Sequence, residues 1–316
     1  MTAPAMRWSE WQSLASAWNP SAPVLAETLD GGQAFRWQQD EAGVWTGHWS
    51  DCVAQLRVQA AGVEWRSPEQ IHERVARALP PYLALDQDWD ALADALPWRS
   101  DPHLAGCQSA FPGLRLLRQP FGETLLGFLC SAAKQIVQIK RMLALLAERH
   151  GAPLIDVGRA GPPGAPSGHS RTARRSVPPL HCLPTWAELA EISEADLRAC
   201  QFGFRARYVR ETAQFLAGRH GWLDETECRP YAVAKTRLLE LPGVGEKVAD
   251  CVLLFGAGRL EAFPVDVWVL KSLARRYGLA GWKPAQVAQF GRTHFGPSAG
   301  LAQQYLFAWE RRQGGR

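Results

Sequence analysis

The chain has 316 residues, of which 47% are hydrophobic, and its formal net charge at pH 7 is +4. This apolar fraction is sufficient for a sizeable core, which excludes a disordered chain. No run of about 18 apolar residues occurs, which excludes a membrane-spanning helix, and the first residues lack the pattern of a secretory signal.

Residues 1–105 are predicted to form an α+β domain. Short β-like runs separated by turn residues occupy positions 34–38, 43–49, 52–58 and 62–66. A helical stretch over 67–79 is predicted to be closed by Pro80 and Pro81, because proline interrupts helix hydrogen bonding. The acidic segment 86–96 is predicted to form a surface helix.

Residues 106–316 are predicted to form a mainly α-helical domain, since apolar residues recur at helical spacing from about position 111 onward. Within it, the Gly/Pro/Arg-rich insert 151–179 has too few large apolar residues to fold alone, so we expect a mobile loop there. Residues 201–316 carry 17 Lys and Arg against 10 Asp and Glu. This basic part of the chain fits a nucleic-acid partner, but it fits an ordinary solvated surface as well.

The segment LPGVGEKVADC (241–251) is the most informative part of the sequence. A helix is predicted to end near Glu240, and a second one to begin at Glu246 after a tight turn. Gly243 and Gly245 beside a helix N-terminus let backbone N–H groups converge on an anion such as a phosphate. The pattern indicates a helix-hairpin-helix grip on a DNA backbone, whereas an ordinary helix connection is the alternative.

Lys247 and Asp266 are the candidate catalytic residues. Lys247 lies in the first turn of the second helix, where the positive helix end disfavours an ammonium group, and a neutral lysine is a nucleophile that forms a Schiff base with a sugar carbon. Asp266 follows 19 residues later at a predicted N-cap. It either only caps that helix or also faces Lys247 and stabilises positive charge on a deoxyribose, while Lys247 either reacts or only contacts phosphate.

At this point the chain resembles the helix-hairpin-helix base-excision superfamily and, within it, the 8-oxoguanine DNA glycosylase/AP lyases of the eukaryotic type. The resemblance rests on GGQAFRW (31–37), GLRLLRQPFGETLLGFLCS (113–131), FGFRARYV (202–209), LPGVGEKVADC (241–251), PVDVW (264–268) and GLAQQYLFAW (300–309). It implies a twisted antiparallel β-sheet in the N-terminal domain, followed by the helical glycosylase domain.

The resemblance also implies a mechanism. The enzyme bends duplex DNA and flips the damaged base out of the stack, because the reacting sugar carbon cannot be reached inside it. Lys247 then attacks that carbon and expels the base, and the resulting Schiff base permits β-elimination and strand nicking. Asp266 helps to activate the lysine and stabilises the cation-like transition state.

Four further residues match the base pocket of the family. Gly32 corresponds to the glycine whose carbonyl accepts the N7–H that 8-oxoguanine has and guanine lacks. Gln303 corresponds to the glutamine on the Watson–Crick edge of the base. Phe307 and Cys251 correspond to the two residues that enclose the ring from either side. Taken singly, each also fits an ordinary core, turn or surface position.

The DNA-reading residues depart from the family pattern in several places. Ala133 stands where the family has an asparagine, and Gln138 where it has an arginine; both family side chains read the orphaned cytosine. Arg205, a third reader, is present. The wedge tyrosine is Phe204, and a phosphate-contacting histidine is Trp268, which retains an N–H donor. We therefore expect a weaker preference for cytosine opposite the lesion.

Two other functions remain open at this stage, an alkylated-base glycosylase of the same superfamily and a non-catalytic DNA-binding module. The expected partner is double-stranded DNA containing oxidised guanine. We expect the protein to act as a monomer and to have no membrane partner. Seven scattered cysteines with no Cys-x-x-Cys pair predict reduced thiols in a cytoplasmic chain, associated with the nucleoid in a bacterium or located in the nucleus of a eukaryote. They also give no sign of a cofactor, because zinc ribbons and iron–sulfur clusters require clustered cysteines.

Overall fold

A five-stranded antiparallel sheet lies in the first part of the chain. The computed structural model describes residues 6–154 and 180–314. The strands follow the spatial order β1-β5-β4-β3-β2. Their bounds are β1 Gln12–Ser13, β2 Trp37–Gln39, β3 Trp45–Trp49, β4 Cys52–Gln59 and β5 Gly62–Arg66.

Large apolar side chains in register hold this sheet against its helices. Trp45 pairs with Leu56, and Leu56 pairs with Trp65, so one row of buried side chains crosses three strands. Trp37 covers Gly47 on the neighbouring strand, where a Cβ would lie 2.2 Å from the indole ring. The sheet therefore requires glycine at position 47 to accommodate a fully buried tryptophan.

Fifteen α-helices make up most of the remaining described residues. In chain order they are α1 Ala22–Asp30, α2 His72–Tyr82, α3 Trp89–Asp94, α4 Pro102–Ala110, α5 Phe121–Leu129, α6 Ile136–His150, α7 Trp186–Glu191, α8 Glu194–Ala199, α9 Arg205–Ala217, α10 Trp222–Cys228, α11 Tyr231–Leu239, α12 Glu246–Phe255, α13 Val267–Arg276, α14 Pro284–Phe295 and α15 Ala299–Gly314. Across the described ranges, none is long and apolar enough to cross a membrane.

Helix α12 runs through the middle of the helical core. Every residue from Val248 to Phe255 is buried, including the carboxylate of Asp250. The sequence predicted one apolar face, and the burial is broader because α5 and α11 both pack against α12. A central helix is a rigid support for a reactive side chain in its first turn.

The fold class predicted from the sequence, an antiparallel sheet followed by a mainly helical domain, is confirmed. Several local predictions were wrong. Positions 34–36 and 43–44 are not strand, since β2 begins only at Trp37 and β3 at Trp45. The helix predicted from position 67 begins at His72, after a short 3₁₀ turn. Pro80 and Pro81 were predicted to end the helix, but they lie within the last turn of α2. The fixed φ of proline is compatible with helical backbone, and so close to the helix end the two missing N–H donors remove few helix hydrogen bonds.

Two predictions about the organisation of the chain stay predictions. The division between residues 105 and 106 falls inside α4. Most of the insert 151–179, namely residues 155–179, lies outside the described residues. The acidic segment 86–96 contains the short helix α3, whose Trp89 is buried, so this segment also contributes to the core.

Candidate active site

The turn between α11 and α12 presents two exposed glycines at the start of a helix. Gly243 has φ +78°, and a Cβ on it would lie 2.7 Å from Tyr208 on α9. Thr212 on the same helix donates its hydroxyl to the Pro242 carbonyl at 3.0 Å. Gly245 is the N-cap of α12 and supplies no side-chain cap, so the backbone donors of the first turn are available to an anion.

Lys247 is half-buried in that first turn, and its amine is held by two groups from α5 and the residues after it. The Nζ atom donates to Ser131 Oγ at 3.0 Å. It also lies over the ring of Phe128, 5.0 Å from the ring centroid. These contacts hold the amine in one orientation, whereas an unrestrained lysine side chain would sample several.

Asp266 caps α13 and lies close enough to Lys247 for the charge of that amine to act on its carboxyl. Its Oδ1 accepts from the Val269 N–H at 2.8 Å, so the predicted N-cap is confirmed. Burial raises the pKa of the Asp266 carboxyl, while the Val269 N–H and the charge of Lys247 oppose that rise. The structure thus shows the helix cap and an electrostatic influence of Lys247 on the same carboxyl, whereas a role of Asp266 in a reaction with Lys247 stays a prediction.

Cys251 lies one turn after Lys247 on α12. Only 3% of its surface is exposed, and burial raises the pKa of its thiol to about 12, with Lys247 opposing. A neutral thiol of this kind is a small apolar surface rather than a nucleophile. Lys247, Cys251 and Asp266 thus form one group around the first turns of α12.

A second group lies where α1 meets α6 and α15. Gly32 has φ +91°, and a Cβ on it would be 3.3 Å from both Phe307 Cε1 and Ile136 Cδ1. Gln303 lies one turn before Phe307 on α15 and is 5% exposed. Within the described part of the chain, the buried Oε1 of Gln303 has no hydrogen-bond partner, so this acceptor is available to a ligand donor.

The connection between α5 and α6 links the two groups. Ser131 at its start binds Lys247, and Ile136 at its end packs against Gly32. The sequence prediction missed Ser131, because this contact joins residues 116 positions apart and no local pattern marks it.

The predicted DNA-facing residues differ in how they are presented. Phe204 is 55% exposed at the start of α9, and Trp268 is 44% exposed at the start of α13. Arg205 is buried beneath Phe204, with its guanidinium 4.2 Å from that ring centroid, and burial lowers its pKa. Gln138 accepts from the Gln135 N–H at 3.1 Å as part of the α6 capping box.

A charge network around the buried Asp250 joins the two helices of the hairpin. Lys235 on α11 contacts Asp250 on α12 at 2.9 Å and Glu246 at 2.7 Å, and the Tyr231 hydroxyl donates to Asp250 at 2.7 Å. Burial raises the pKa of Asp250 although Lys235 opposes it. The network stabilises the angle at which α12 presents Lys247.

Comparison with known proteins gives two family matches that adjoin in the chain. Residues 17–125 match the model of the 8-oxoguanine DNA glycosylase N-terminal domain. Residues 126–294 match the model described as HhH-GPD superfamily base excision DNA repair protein.

Individual relatives are similar over most of their length. A probable N-glycosylase/DNA lyase of Methanothermobacter thermautotrophicus is 31% identical over 278 residues, 83% of this chain and 84% of the relative. N-glycosylase/DNA lyase OGG1 of Arabidopsis thaliana is 28% identical over 305 residues, 91% of this chain and 77% of the relative. The structure of Clostridium acetobutylicum 8-oxoguanine glycosylase/lyase with dsDNA containing cytosine opposite 8-oxoG superimposes with a TM-score of 0.79 at 26% identity, covering 99% of this chain and 100% of that one.

Proposed function

Because the chain belongs to the HhH-GPD superfamily of base excision DNA repair proteins and begins with an 8-oxoguanine DNA glycosylase N-terminal domain, we propose that it excises 8-oxoguanine from duplex DNA and then nicks the strand as an AP lyase. The observation that carries the proposal is the oriented amine of Lys247 in the first turn of α12, with the half-buried Asp266 close enough for the charge of that amine to lower the pKa of its carboxyl. A phosphate-binding module would need the hairpin but not this pair.

Lys247 supplies the nucleophile in the proposed reaction. Once its ammonium has lost a proton, Nζ forms a bond to C1′ of the flipped nucleotide, the glycosidic bond breaks, and the base leaves with that electron pair and takes up a proton. Opening of the sugar ring gives the Schiff base, and loss of a C2′ proton then expels the 3′ phosphate by β-elimination. The Asp266 carboxylate faces the positive charge that develops on the sugar and lowers its energy.

The lesion is recognised by Gly32, Gln303 and Phe307 of the second group, together with Cys251 of the first. The Gly32 carbonyl accepts the N7–H of 8-oxoguanine, whereas the N7 lone pair of guanine would face it as a second acceptor. That mismatch costs on the order of 1–3 kcal/mol. The unpartnered Oε1 of Gln303 fits the N–H donors of the Watson–Crick edge. Phe307 and Cys251 then enclose the ring between apolar surfaces.

Exposed groups hold the DNA backbone and enter the stack. The N–H groups next to Gly243 and Gly245 bind phosphate, Phe204 enters the stack, and the Trp268 N–H reaches a neighbouring phosphate. The protein acts as a monomer in the compartment that holds the genome, nucleoid or nucleus.

Recognition of the opposite base is weaker than in the family pattern. Ala133 has no polar side-chain atom, the Gln138 side chain is used in the α6 capping box, and Arg205 is buried beneath Phe204. Excision opposite cytosine should therefore exceed excision opposite adenine, guanine and thymine by a small factor only. A large excess opposite cytosine would contradict this part of the proposal.

Borohydride trapping tests the proposal directly. The protein is incubated with an 8-oxoguanine duplex in the presence of borohydride, and the free base is measured by chromatography. We expect a covalent protein–DNA adduct and released 8-oxoguanine, both lost in Lys247→Gln and both retained in Lys283→Gln, an exposed lysine before α14. Binding without base release would support the module alternative, and release of alkylated bases without an adduct would support the sister glycosylase.

A further inference from the structure

The position of Gly32 depends on how α1 approaches two helices of the other part of the chain. Its φ of +91° requires glycine, and both Ile136 on α6 and Phe307 on α15 would be 3.3 Å from a Cβ there. A carbonyl that must meet one N–H of a base tolerates little displacement. The approach of α1 to α6 and α15 is therefore part of lesion recognition.

Two ion pairs join the end of α1 to those same two helices. Glu27 Oε1 contacts Arg311 Nη1 on α15 at 3.0 Å, and Asp30 Oδ1 contacts Lys140 Nζ on α6 at 2.9 Å. Arg311 lies one turn after Phe307, and Lys140 one turn after Ile136. Each pair thus lies next to one of the two side chains that enclose Gly32.

These pairs are more enclosed than ordinary surface pairs. The side chains of Glu27 and Lys140 are only 13% and 15% exposed. The Glu27 carboxylate also packs against the loop that follows α1 (residues 31–36), because a Cβ on Gly31 would lie 2.5 Å from Glu27 Oε1. Burial raises the pKa of Glu27 and Arg311 opposes that rise. Without Arg311, a poorly solvated carboxylate would remain beside Gly31, and the loop would have to shift to hydrate it.

We propose that these two ion pairs, Glu27–Arg311 and Asp30–Lys140, position the Gly32 carbonyl in the base pocket and so set the rate of 8-oxoguanine excision. The inference rests on the proposed function, because Gly32 matters only if the lesion is read there. Arg311 is a positioning residue, acting through Gly31 and through Phe307, whose ring centroid lies 5.8 Å from its guanidinium. The chemistry at Lys247 does not involve either pair.

Two substrates separate positioning from folding. One duplex contains 8-oxoguanine, and the other contains an abasic site, which needs Lys247 for nicking but presents no base to the pocket. In Arg311→Met, single-turnover release of 8-oxoguanine should fall by about tenfold or more, whereas nicking at the abasic site should stay within about twofold of the wild type. Lys140→Met should change the two rates in the same pattern. Arg311→Lys, which keeps the charge, should restore most of the base release.

Arg118→Met is the matched control. Its side chain is 34% exposed against 31% for Arg311, and it pairs with Asp86 rather than with a residue of α1. It should alter neither rate.

Equal losses on the two substrates, unrescued by Arg311→Lys, would overturn the inference in favour of a purely structural role. Unchanged base release in Arg311→Met would overturn it as well. Failure of the proposed function is a separate result, because the wild-type protein would then release no 8-oxoguanine.

Discussion

Substitution of Asp266 by asparagine separates the two roles of this side chain. In the structure, Oδ1 caps α13 through the Val269 N–H at 2.8 Å, and the charge of Lys247 acts on the same carboxyl. Asparagine keeps an oxygen for the cap and removes the charge. We therefore expect a folded protein with very little base-excision activity.

The effect on stability can be worked out from the cap and from burial. Asparagine caps a helix about as well as aspartate, so the cap itself changes by less than about 0.5 kcal/mol. Burial holds the pKa of Asp266 above its unfolded value, so the ionised carboxyl lowers stability as the pH rises through the folded pKa. The neutral amide escapes that penalty, and the free energy of unfolding at pH 7 should be equal or higher. Asp266→Ala loses the cap and should cost about 1 kcal/mol, or about 2–4 °C in Tm.

Asp266→Asn and Asp266→Ala should both lose far more base-excision activity than stability. Loss of one preorganised group that faces developing charge costs on the order of 10²–10³ in rate. Single-turnover release of 8-oxoguanine and thermal melting, measured on the same preparations, test this directly. If Asp266→Asn released the base within about threefold of the wild-type rate, the carboxylate would be a cap and nothing more.

Three further predictions concern the hairpin, the pocket and the opposite base. Gly243→Ala places a Cβ 2.7 Å from Tyr208 at a φ of +78°, so we expect the Kd for duplex DNA, measured by fluorescence anisotropy, to rise by about tenfold. Gln303→Leu removes a buried acceptor without a partner; stability should not fall, while 8-oxoguanine release, followed by chromatography, should drop by about 10- to 100-fold with nicking of abasic DNA nearly unchanged. Ala133→Asn should raise the ratio of excision opposite cytosine to excision opposite adenine severalfold at no cost in Tm, because asparagine tolerates the φ of +51° found there.

Two of these predictions have a control variant within the chain. Gly218→Ala changes a glycine at ordinary φ −81° and should leave DNA affinity intact; equal weakening there would contradict the argument for Gly243. Gln304→Leu alters the buried neighbour of Gln303 and should not reduce 8-oxoguanine release selectively. An unchanged opposite-base ratio in Ala133→Asn would mean that this position does not reach the orphaned base.

Local patterns were sufficient wherever a neighbour in sequence supplies the partner. The hairpin is one such case, since the turn glycines and the start of α12 at Glu246 follow from backbone preferences of adjacent residues. The cap at Asp266 is another, because its acceptor meets a backbone donor three residues later. Strand β5, Gly62–Arg66, was likewise predicted from alternation and flanking turns.

Predictions failed where packing overrides local preference. Pro80 and Pro81 read as a helix end, yet the helix continues to Tyr82, whose burial in the sheet core holds that last turn in place. Strand β1 has only two residues and forms by pairing with the edge of β5. A two-residue segment contains no sequence pattern from which a strand could be predicted. The inward orientation of Arg205 depends on Phe204 covering it, which residue identity alone does not determine.

The sequence by itself determined the family and the fold class, and it predicted Lys247 as the nucleophile, because these depend on motifs whose residues are close in the chain. Only the tertiary structure decided what surrounds them: Ser131 on the Lys247 amine across 116 positions, Phe307 beside Gly32, and the ion pairs at the end of α1. Such contacts form when distant segments pack into one core. Their free energy arises from burial and charge in that shared environment, which no short stretch of chain contains.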